Sequence, residues 1–340
     1  MLSSFISKNL AVDLGTASTL VYCEGKGVIL NEPSMVAVKE RDGKKIPVAY
    51  GKEAKAMLGR TPEGVTVIRP VRTGVIADFE VAGMLLQHVL SRAGKQIGAI
   101  IKPRVIVGVP SGITEVERRA VEESVSAAGA RDVKLIEETM ASAIGCSLPV
   151  TEATASMVVD IGGGTTDIAV ISLNDIVCSV SLRVGGEAFD NAIINHLRRH
   201  HRLLIGEPTA ELVKITIGAA HPNYDDQRME VRGRSLTTGF PSAVVVDAKE
   251  IRETLSEVVA AIVAGIRQAL ESTPPELAGD IISSGIALAG GGALLKGLDK
   301  RISEDLKLDV MIAPNPAQSV VEGAGKCLEN AELYKNIILR

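Results

Sequence analysis

Tryptophan is absent from this 340-residue chain, and Tyr and Phe number only four each. Sites for single-stranded nucleic acid or sugar rings rely on exposed aromatic faces, so both ligand classes are disfavoured. Charge of neither sign is in excess: Lys plus Arg total 37 against 41 for Asp plus Glu, a net charge of −4. That balance lacks the electrostatic footprint of a general nucleic-acid binder, and no nucleic-acid partner is expected. The four cysteines, Cys23, Cys146, Cys178 and Cys327, form no Cys-x-x-Cys pair and no zinc-finger spacing. Scattered thiols of this kind suit a reducing compartment and imply no disulfide framework. The longest apolar run of note extends only from Val258 to Ile266, against the roughly 18 residues that a membrane-spanning helix needs. The opening MLSSFISKN has no long apolar core and no cleavage site, so a cytoplasmic location is expected. No G-x-x-x-x-G-K-[ST] loop occurs, and no G-x-G-x-x-G follows a strand, which removes Walker-type and Rossmann-type nucleotide sites.

What is present is a hydrophobic content of 46%, a charged content of 23% and 33 glycines. The first two describe an ordinary folded protein, and at this length two domains, or one duplicated and fused, are expected. The sequence carries the mark of duplication. LAVDLGTASTLVY at 10–22 and MVVDIGGGTTDIAVI at 157–171 superpose without a gap, placing Asp13 on Asp160, Gly15 on Gly162 and Thr19 on Thr166. In each copy an apolar β-branched run stops at Asp, turns through Gly and Thr, and resumes, which reads as a hairpin with an exposed turn. VIVGVPSG at 105–112 and IALAGGGA at 286–293 form a second pair, each a buried strand running toward a helix. The helix after the first opens with Thr114 and Glu117 in capping-box spacing and directs Val116, Ala120, Val121 and Val125 to the core; Leu294, Leu295 and Leu298 play that part in the second. Residues 33–73 and 183–244, punctuated by Pro and Gly, read as small units inserted in the two lobes, and Pro274–Pro275 as a break between helices.

Gly-Thr turns expose backbone N–H groups and hydroxyls, the donors that a polyphosphate needs. One Asp-Gly turn alone is ordinary hairpin chemistry; two copies with Thr in the same place point to a pair of turns clamping one polyphosphate. Asp13 and Asp160, at the strand ends, suit Mg²⁺, a hard ion held by carboxylates and phosphate oxygens. Gly290, Gly291 and Gly292 end a strand where backbone can pack against a flat ring or a phosphate. Glu137 and Glu138, ahead of the second hairpin, are candidates for orienting water at a terminal phosphate, while an acidic pair before an Ala-rich helix also compensates the helix dipole. His196 and His200 lie one helical turn apart, but Arg198, Arg199 and Arg202 surround them and no acidic ligand accompanies them, which reads as a solvated basic helix end. His88 and His221 have no partners in sequence.

These motifs resemble the actin, sugar-kinase and heat-shock-chaperone ATPase superfamily and, within it, the MreB family of bacterial actins. The likeness covers nearly the whole chain, through DLGTASTL at 13–20, NEPS at 31–34, GRTPEGV at 59–65, IRPVRTGVIADF at 68–79, PSGITEVERRAV at 110–121, LIEET at 135–139, MVVDIGGGTTDIAVIS at 157–172, VGGEAFD at 184–190, PPEL at 274–277 and GGGALLKGLD at 290–299. The resemblance implies an α/β, actin-like ATPase fold: two ribonuclease-H-like lobes, each with a small inserted subdomain, and ATP with Mg²⁺ in the cleft. It divides the chain into subdomain IA (1–32, 74–147 and 325–340), IB (33–73), IIA (148–182 and 245–324) and IIB (183–244). Carried over residue by residue, Gly15, Thr16, Ala17 and Ser18 form the first phosphate loop and Gly162, Gly163, Gly164 and Thr165 the second. Asp13 and Asp160 are the metal-side carboxylates, acting through water. Glu138, chosen over Glu137 by the family pattern, positions the attacking water with Thr165. Glu211 and Lys214 look like ribose contacts, and Gly290 to Gly292 look like the adenine side. Ser18 stands where Asn is usual, Thr139 where Pro is usual and Ala289 where Thr is usual.

The family polymerises on the inner face of the cytoplasmic membrane, and two segments here are expected to make that contact: the N-terminus, with Met1, Leu2, Phe5 and Ile6 able to share one helical face, and the loop carrying Ile97, Ile100 and Ile101 between Lys95 and Lys102. The N-terminal residues also suit a frayed end. The implied function is a slow Mg-dependent ATPase whose membrane-associated filaments guide lateral wall synthesis and keep a rod shape. The implied partners are further copies of itself, as paired protofilaments, with MreC, MreD, RodZ and wall-synthesising enzymes. The rivals are a small-molecule kinase of the same superfamily, for which no acceptor-base motif is evident, a chaperone, which needs a further peptide-binding domain, and a filament that positions organelles or plasmids.

Overall fold

The computed structural model describes residues 9–98 and 101–339. Its two largest sheets have the same topology, as the duplication requires. The first runs Asp132–Glu137, Arg104–Val109, Leu10–Leu14, Ser18–Cys23, Gly27–Pro33, and the second Val310–Ile312, Ile286–Ala289, Ser156–Ile161, Thr166–Ser172, Asp175–Leu182. In both, the strand that carries the key Asp pairs antiparallel with its hairpin partner and parallel with the strand on its other side. The central strands are buried on both faces, which is why they read as continuous Val, Ile, Leu and Ala rather than as an alternating pattern. The edge strand Asp175–Leu182 alternates exposed and half-buried positions along its length.

Two smaller sheets sit in the inserted units. Lys44–Tyr50, Val36–Arg41 and Val65–Ile68 form one, and its core is small: Met35, Ala37, Ala49 and Ala54. Leu203–Leu204, Arg228–Ser235 and Pro241–Asp247 form the other. It is joined to the larger core by Phe189, Ile193 and Leu197 of the helix Gly186–His200 and by Ala210, Val213 and Ile217 of the helix Glu207–Ile217.

Between the two large sheets, the helices Glu138–Gly145 and Ser319–Glu329 share a core with strand residues of both, including Ala11, Leu20, Val158 and Ala169. Their close crossing depends on glycine. A Cβ at Gly323 would run into the Ala141 carbonyl, and one at Gly145 into the Ser319 carbonyl.

The capping box forms as expected: the Thr114 side chain accepts from the Glu117 N–H, and the Glu117 carboxylate accepts from the Thr114 N–H at 3.0 Å. Val121 and Val125 are buried, but Val116 is 78% exposed. It lies five residues before Val121, about 140° around the helix, so it cannot share that face. Leu295 and Leu298 enter the core while Leu294 is 62% exposed. The reason is that Gly291–Leu294 forms a 3₁₀ turn, and the α-helix begins only at Leu298.

The membrane-facing expectations fare unequally. Leu2, Phe5, Ile6 and Ile100 lie outside the described residues. Ile97 is the last residue of the helix Phe79–Ile97 and packs, half-buried, against the first-lobe core, so it is not a loop residue. Ile101 is 40% exposed, with Lys95 and Lys102 exposed around it. Among the described residues, no helix is long and apolar enough to cross a membrane.

Candidate functional site

The two hairpins bring their turns face to face. Gly15 N–H donates to Ser18 O at 3.1 Å, and Gly162 N–H donates to Thr165 O at 2.8 Å. These are equivalent positions, so the duplicated residues close duplicated turns. The turns approach until only glycine fits: a Cβ at Gly163 would come within 2.7 Å of the Ala17 Cβ, and one at Gly164 within 2.9 Å of the Thr16 hydroxyl oxygen and of the Thr73 backbone. Thr16 Oγ1 accepts from Gly74 N–H at 3.3 Å, which ties the first turn to the segment leaving the first inserted unit.

A cleft of about 400 Å³ opens beside the turns, lined by Asp13, Gly15 to Ser18, Glu138, Asp160, Gly162, Gly163, Thr165, Glu211, Lys214 and Gly290 to Gly292. Of the residues that the sequence assigned to the cleft, only Gly164 is not on its wall; it is packed against Thr16 and Thr73. Glu137 is also absent from the lining, and its carboxylate accepts from the Gly112 backbone instead. The geometry therefore agrees with Glu138 as the residue that faces the cleft.

Four carboxylates, Asp13, Glu138, Asp160 and Asp167, line its floor. Loss of hydration and repulsion from Asp160 push Asp13 up to about 7. Loss of hydration, with repulsion from Asp167, does the same to Asp160, also to about 7. Glu138 is pushed well above the usual carboxylate range by burial and by Asp13, Asp167 and Asp160. Asp160 Oδ2 is buried with no hydrogen-bond partner in the protein. An unpartnered carboxylate oxygen among mutually repelling acids fits a hard divalent cation, which satisfies the oxygen and removes the repulsion.

At the far wall, the helix Glu207–Ile217 carries Glu211 and Lys214. The Glu211 carboxylate accepts from Lys55 Nζ at 2.6 Å, and Lys214 Nζ pairs with Asp190 at 2.8 Å while donating to Gly186 O at 3.1 Å. Arg69 Nη2 reaches Glu207 at 2.7 Å. The first inserted unit thus bridges to the second by ion pairs at the cleft mouth. On the opposite wall, Gly290 N–H donates to Pro316 O at 2.7 Å, and Leu294, Lys296, Pro316 and Ala317 join the lining.

Sequence reasoning missed Asp167 and Gly74. Asp167 follows the glycine turn, but its duplicate counterpart is Leu20, opposite Asp13 in register as Asp167 is opposite Asp160. Duplication therefore gave no signal for it. Thr139, beside Glu138, is buried with its hydroxyl 2.8 Å from that of Ser111, a bond that proline could not make. The histidines also differ from expectation. His88 stacks on Tyr50 with ring centroids 4.1 Å apart, His221 pairs with Glu304 at 3.0 Å, and His196 does have an acidic neighbour, Glu250, at 2.6 Å.

Solved structures share the arrangement. MreB5 of Spiroplasma citri bound to ADP superposes with a TM-score of 0.90 at 37% identity, covering 98% of this chain and 99% of that one. MamK, in its double helical filament, shares the fold at a TM-score of 0.79 and 24% identity, over 95% of this chain and 99% of that one. Two duplicated sheets meeting over paired glycine turns and an acidic cleft floor define an actin-like protein. A family model described as MreB/Mbl protein matches residues 7–336. The cell shape-determining protein MreB of Escherichia coli (strain K12) is 51% identical over 330 residues, 96% of this chain and 95% of that protein. Mbl of Bacillus subtilis (strain 168), also a cell shape-determining protein, is 44% identical over 326 residues, 96% and 97% of the two. The chain belongs to the MreB/Mbl family, the actin-like, filament-forming proteins that determine cell shape.

Proposed function

We propose that the cleft binds ATP with Mg²⁺ and hydrolyses it slowly, and that hydrolysis sets the turnover of filaments lying on the inner face of the cytoplasmic membrane. The observation that carries the reading is the pair of equivalent turns, closed by equivalent hydrogen bonds and packed against each other above an acidic floor. The two turns, Gly15 to Ser18 and Gly162 to Thr165, grip the phosphates from two sides with the hydroxyls and the backbone N–H groups not used by Gly15 and Gly162 to close the turns. Glu211 and Lys214 hold the ribose once Glu211 exchanges Lys55 for a sugar hydroxyl, and Gly290 to Gly292 let the base lie against backbone. Asp13 and Asp160 would hold Mg²⁺ through water, and the bound ion supplies charge neutralisation at the phosphates. Glu138 orients the attacking water with the Thr165 hydroxyl. Its raised pKa is the free-cleft value, and a cation beside it favours the carboxylate.

This reading takes the four subdomains to be those outlined from the sequence, with three divisions moved to the ends of elements. The boundary at 32 would otherwise cut the strand Gly27–Pro33, that at 244 the strand Pro241–Asp247, and that at 324 the helix Ser319–Glu329. MreC, MreD, RodZ and wall-synthesising enzymes are the proposed partners, with further copies of the chain as the first of them. Support for these partners comes from membership of the family of cell shape-determining proteins.

Glu138→Ala tests the chemistry. Binding of a fluorescent ATP analogue and filament formation are expected to persist, while phosphate release falls by about a hundredfold or more. Unchanged phosphate release sinks the assignment of Glu138.

A further inference from the structure

Away from the cleft, three metal-ligating side chains converge where the second inserted unit meets its lobe. His196 lies in the helix Gly186–His200, His201 is the residue that ends it, and Glu250 lies in the first turn of the helix Ala248–Glu271. Both imidazoles address one oxygen: His196 Nε2 is 2.6 Å and His201 Nε2 2.5 Å from Glu250 Oε1. One ligand atom from each of the three lies within 4.8 Å of the others, the only such group of His, Cys, Asp and Glu among the described residues.

The group is held in place from several sides. Asp247 caps the second helix by accepting from Glu250 N–H at 2.9 Å, and Thr254 Oγ1 donates to Glu250 O at 2.8 Å. His200 stacks on His196 with centroids 4.5 Å apart, which limits rotation of the His196 ring. Leu197 and Ile251, next in sequence to His196 and Glu250, are fully buried in the same core and fix the separation of the two helices. The three side chains are 17%, 24% and 27% exposed, enough for an ion to enter from solvent and keep a water.

We propose that His196, His201 and Glu250 bind one zinc-class divalent cation, which joins the helix Gly186–His200 to the helix Ala248–Glu271. Two imidazoles and a carboxylate suit Zn²⁺, and nitrogen ligands select against Mg²⁺. A tetrahedral ion with bonds of about 2.0–2.2 Å keeps its ligand atoms about 3.3–3.5 Å apart. Each imidazole nitrogen therefore moves away from Glu250 Oε1 by less than about 1 Å, a shift that side-chain torsions can supply. On binding, each Nε2 gives its lone pair to the ion. Any proton on that nitrogen moves to Nδ1 or to solvent. Three protein ligands leave a fourth position for water. The exposed Arg198, Arg199 and Arg202 nearby reduce affinity by repulsion without occupying a ligand position.

The test uses the full chain, stripped with a chelator, dialysed, and supplied with excess Mg²⁺ and nucleotide so that the acidic cleft is filled. Zn²⁺ is then titrated by calorimetry and by equilibrium dialysis. One equivalent is expected, weakened more than about tenfold by His201→Gln and by Glu250→Gln and retained by His200→Gln. Zinc should also raise the melting temperature of the unaltered chain but not of His201→Gln. No zinc bound at about 10 μM metal, or equal binding by the double variant His196→Asn/His201→Asn, overturns the proposal. Should the Glu250 and His201 variants fail to fold, X-ray absorption of zinc on the unaltered chain decides: two imidazole nitrogens at about 2.0–2.1 Å support the site, and an all-oxygen shell refutes it.

Discussion

Asp13 and Asp160 show how one backbone position acquires its chemistry from its surroundings. Each sits one residue from the end of a strand that would be ordinary alone, and each is raised from 3.8 to about 7 because the paired sheets set it in a floor of carboxylates with little water. The unfolded chain loses these protons near pH 3.8 while the folded chain keeps them to about 7. Stability of the protein without metal or nucleotide is therefore greatest at the acid end of that window and falls as pH rises through it. Thermal melts from about pH 5 to 8 should show this decline, Asp160→Asn should flatten it, and Mg-ATP should stabilise more at the alkaline end, where protons no longer compete with the cation. A melting temperature of the metal-free chain that rises through this range would contradict the proposed floor. Glu138 belongs to the same group, but its place at the start of a buried helix, with Gly108 leaving room beside its Cγ, directs it into the cleft.

Among the elements, the pair Glu138–Gly145 and Ser319–Glu329 carries the most consequence, because it packs between the two large sheets and one of its helices begins with Glu138. Gly323 lies against the Ala141 carbonyl, so Gly323→Ala must push the helices apart. A destabilisation of about 1–3 kcal/mol is expected from overpacking, measurable by urea unfolding. Because the displaced helix carries Glu138, phosphate release should fall too, with ATP binding through the glycine turns less affected. A neutral Gly323→Ala in both assays would show that the crossing has room to relax. The hairpin elements behave differently: each turn, Asp-Leu-Gly-Thr in the first and Asp-Ile-Gly-Gly-Gly-Thr in the second, is closed by a backbone hydrogen bond between residues only three apart.

For the whole molecule, the bridges at the cleft mouth bear on the opening of the proposed nucleotide cleft, and the exposed face near Ile101 on the proposed lipid contact. Lys55–Glu211 and Arg69–Glu207 cross from one inserted unit to the other, and as partly exposed pairs each contributes only about 0–1 kcal/mol. Ion pairs of that strength hold a cleft without locking it. Exposure of Ile101 between Lys95 and Lys102 supports the proposed lipid contact. One buried Ile is worth about 1.5–3 kcal/mol, too little to hold a monomer on a membrane, whereas a filament multiplies the anchors. Ile100→Ser/Ile101→Ser is therefore expected to abolish co-sedimentation of filaments with anionic liposomes while leaving nucleotide affinity unchanged. Full retention on liposomes would reject this loop as an anchor.

Much of this architecture was legible in the sequence because it is local or duplicated. The superposable segments gave the two hairpins and their paired turns; Thr114 and Glu117 gave a helix start; and the resemblance carried by the ordered motifs gave the family. The hairpins and the helix start depend on residues within a few positions of one another, whose backbone preferences and spacing act before any tertiary contact forms. Other features arose only from the folded chain. Asp167 became a wall of the cleft although its duplicate is Leu20, Ile97 turned into the core, and Glu250 met His196 and His201 from some fifty positions away. Sequence spacing sets which side of an element a residue faces, but the order of strands in a sheet and the crossing of helices set which distant side chains share a few ångströms, and those are fixed by how the whole core packs.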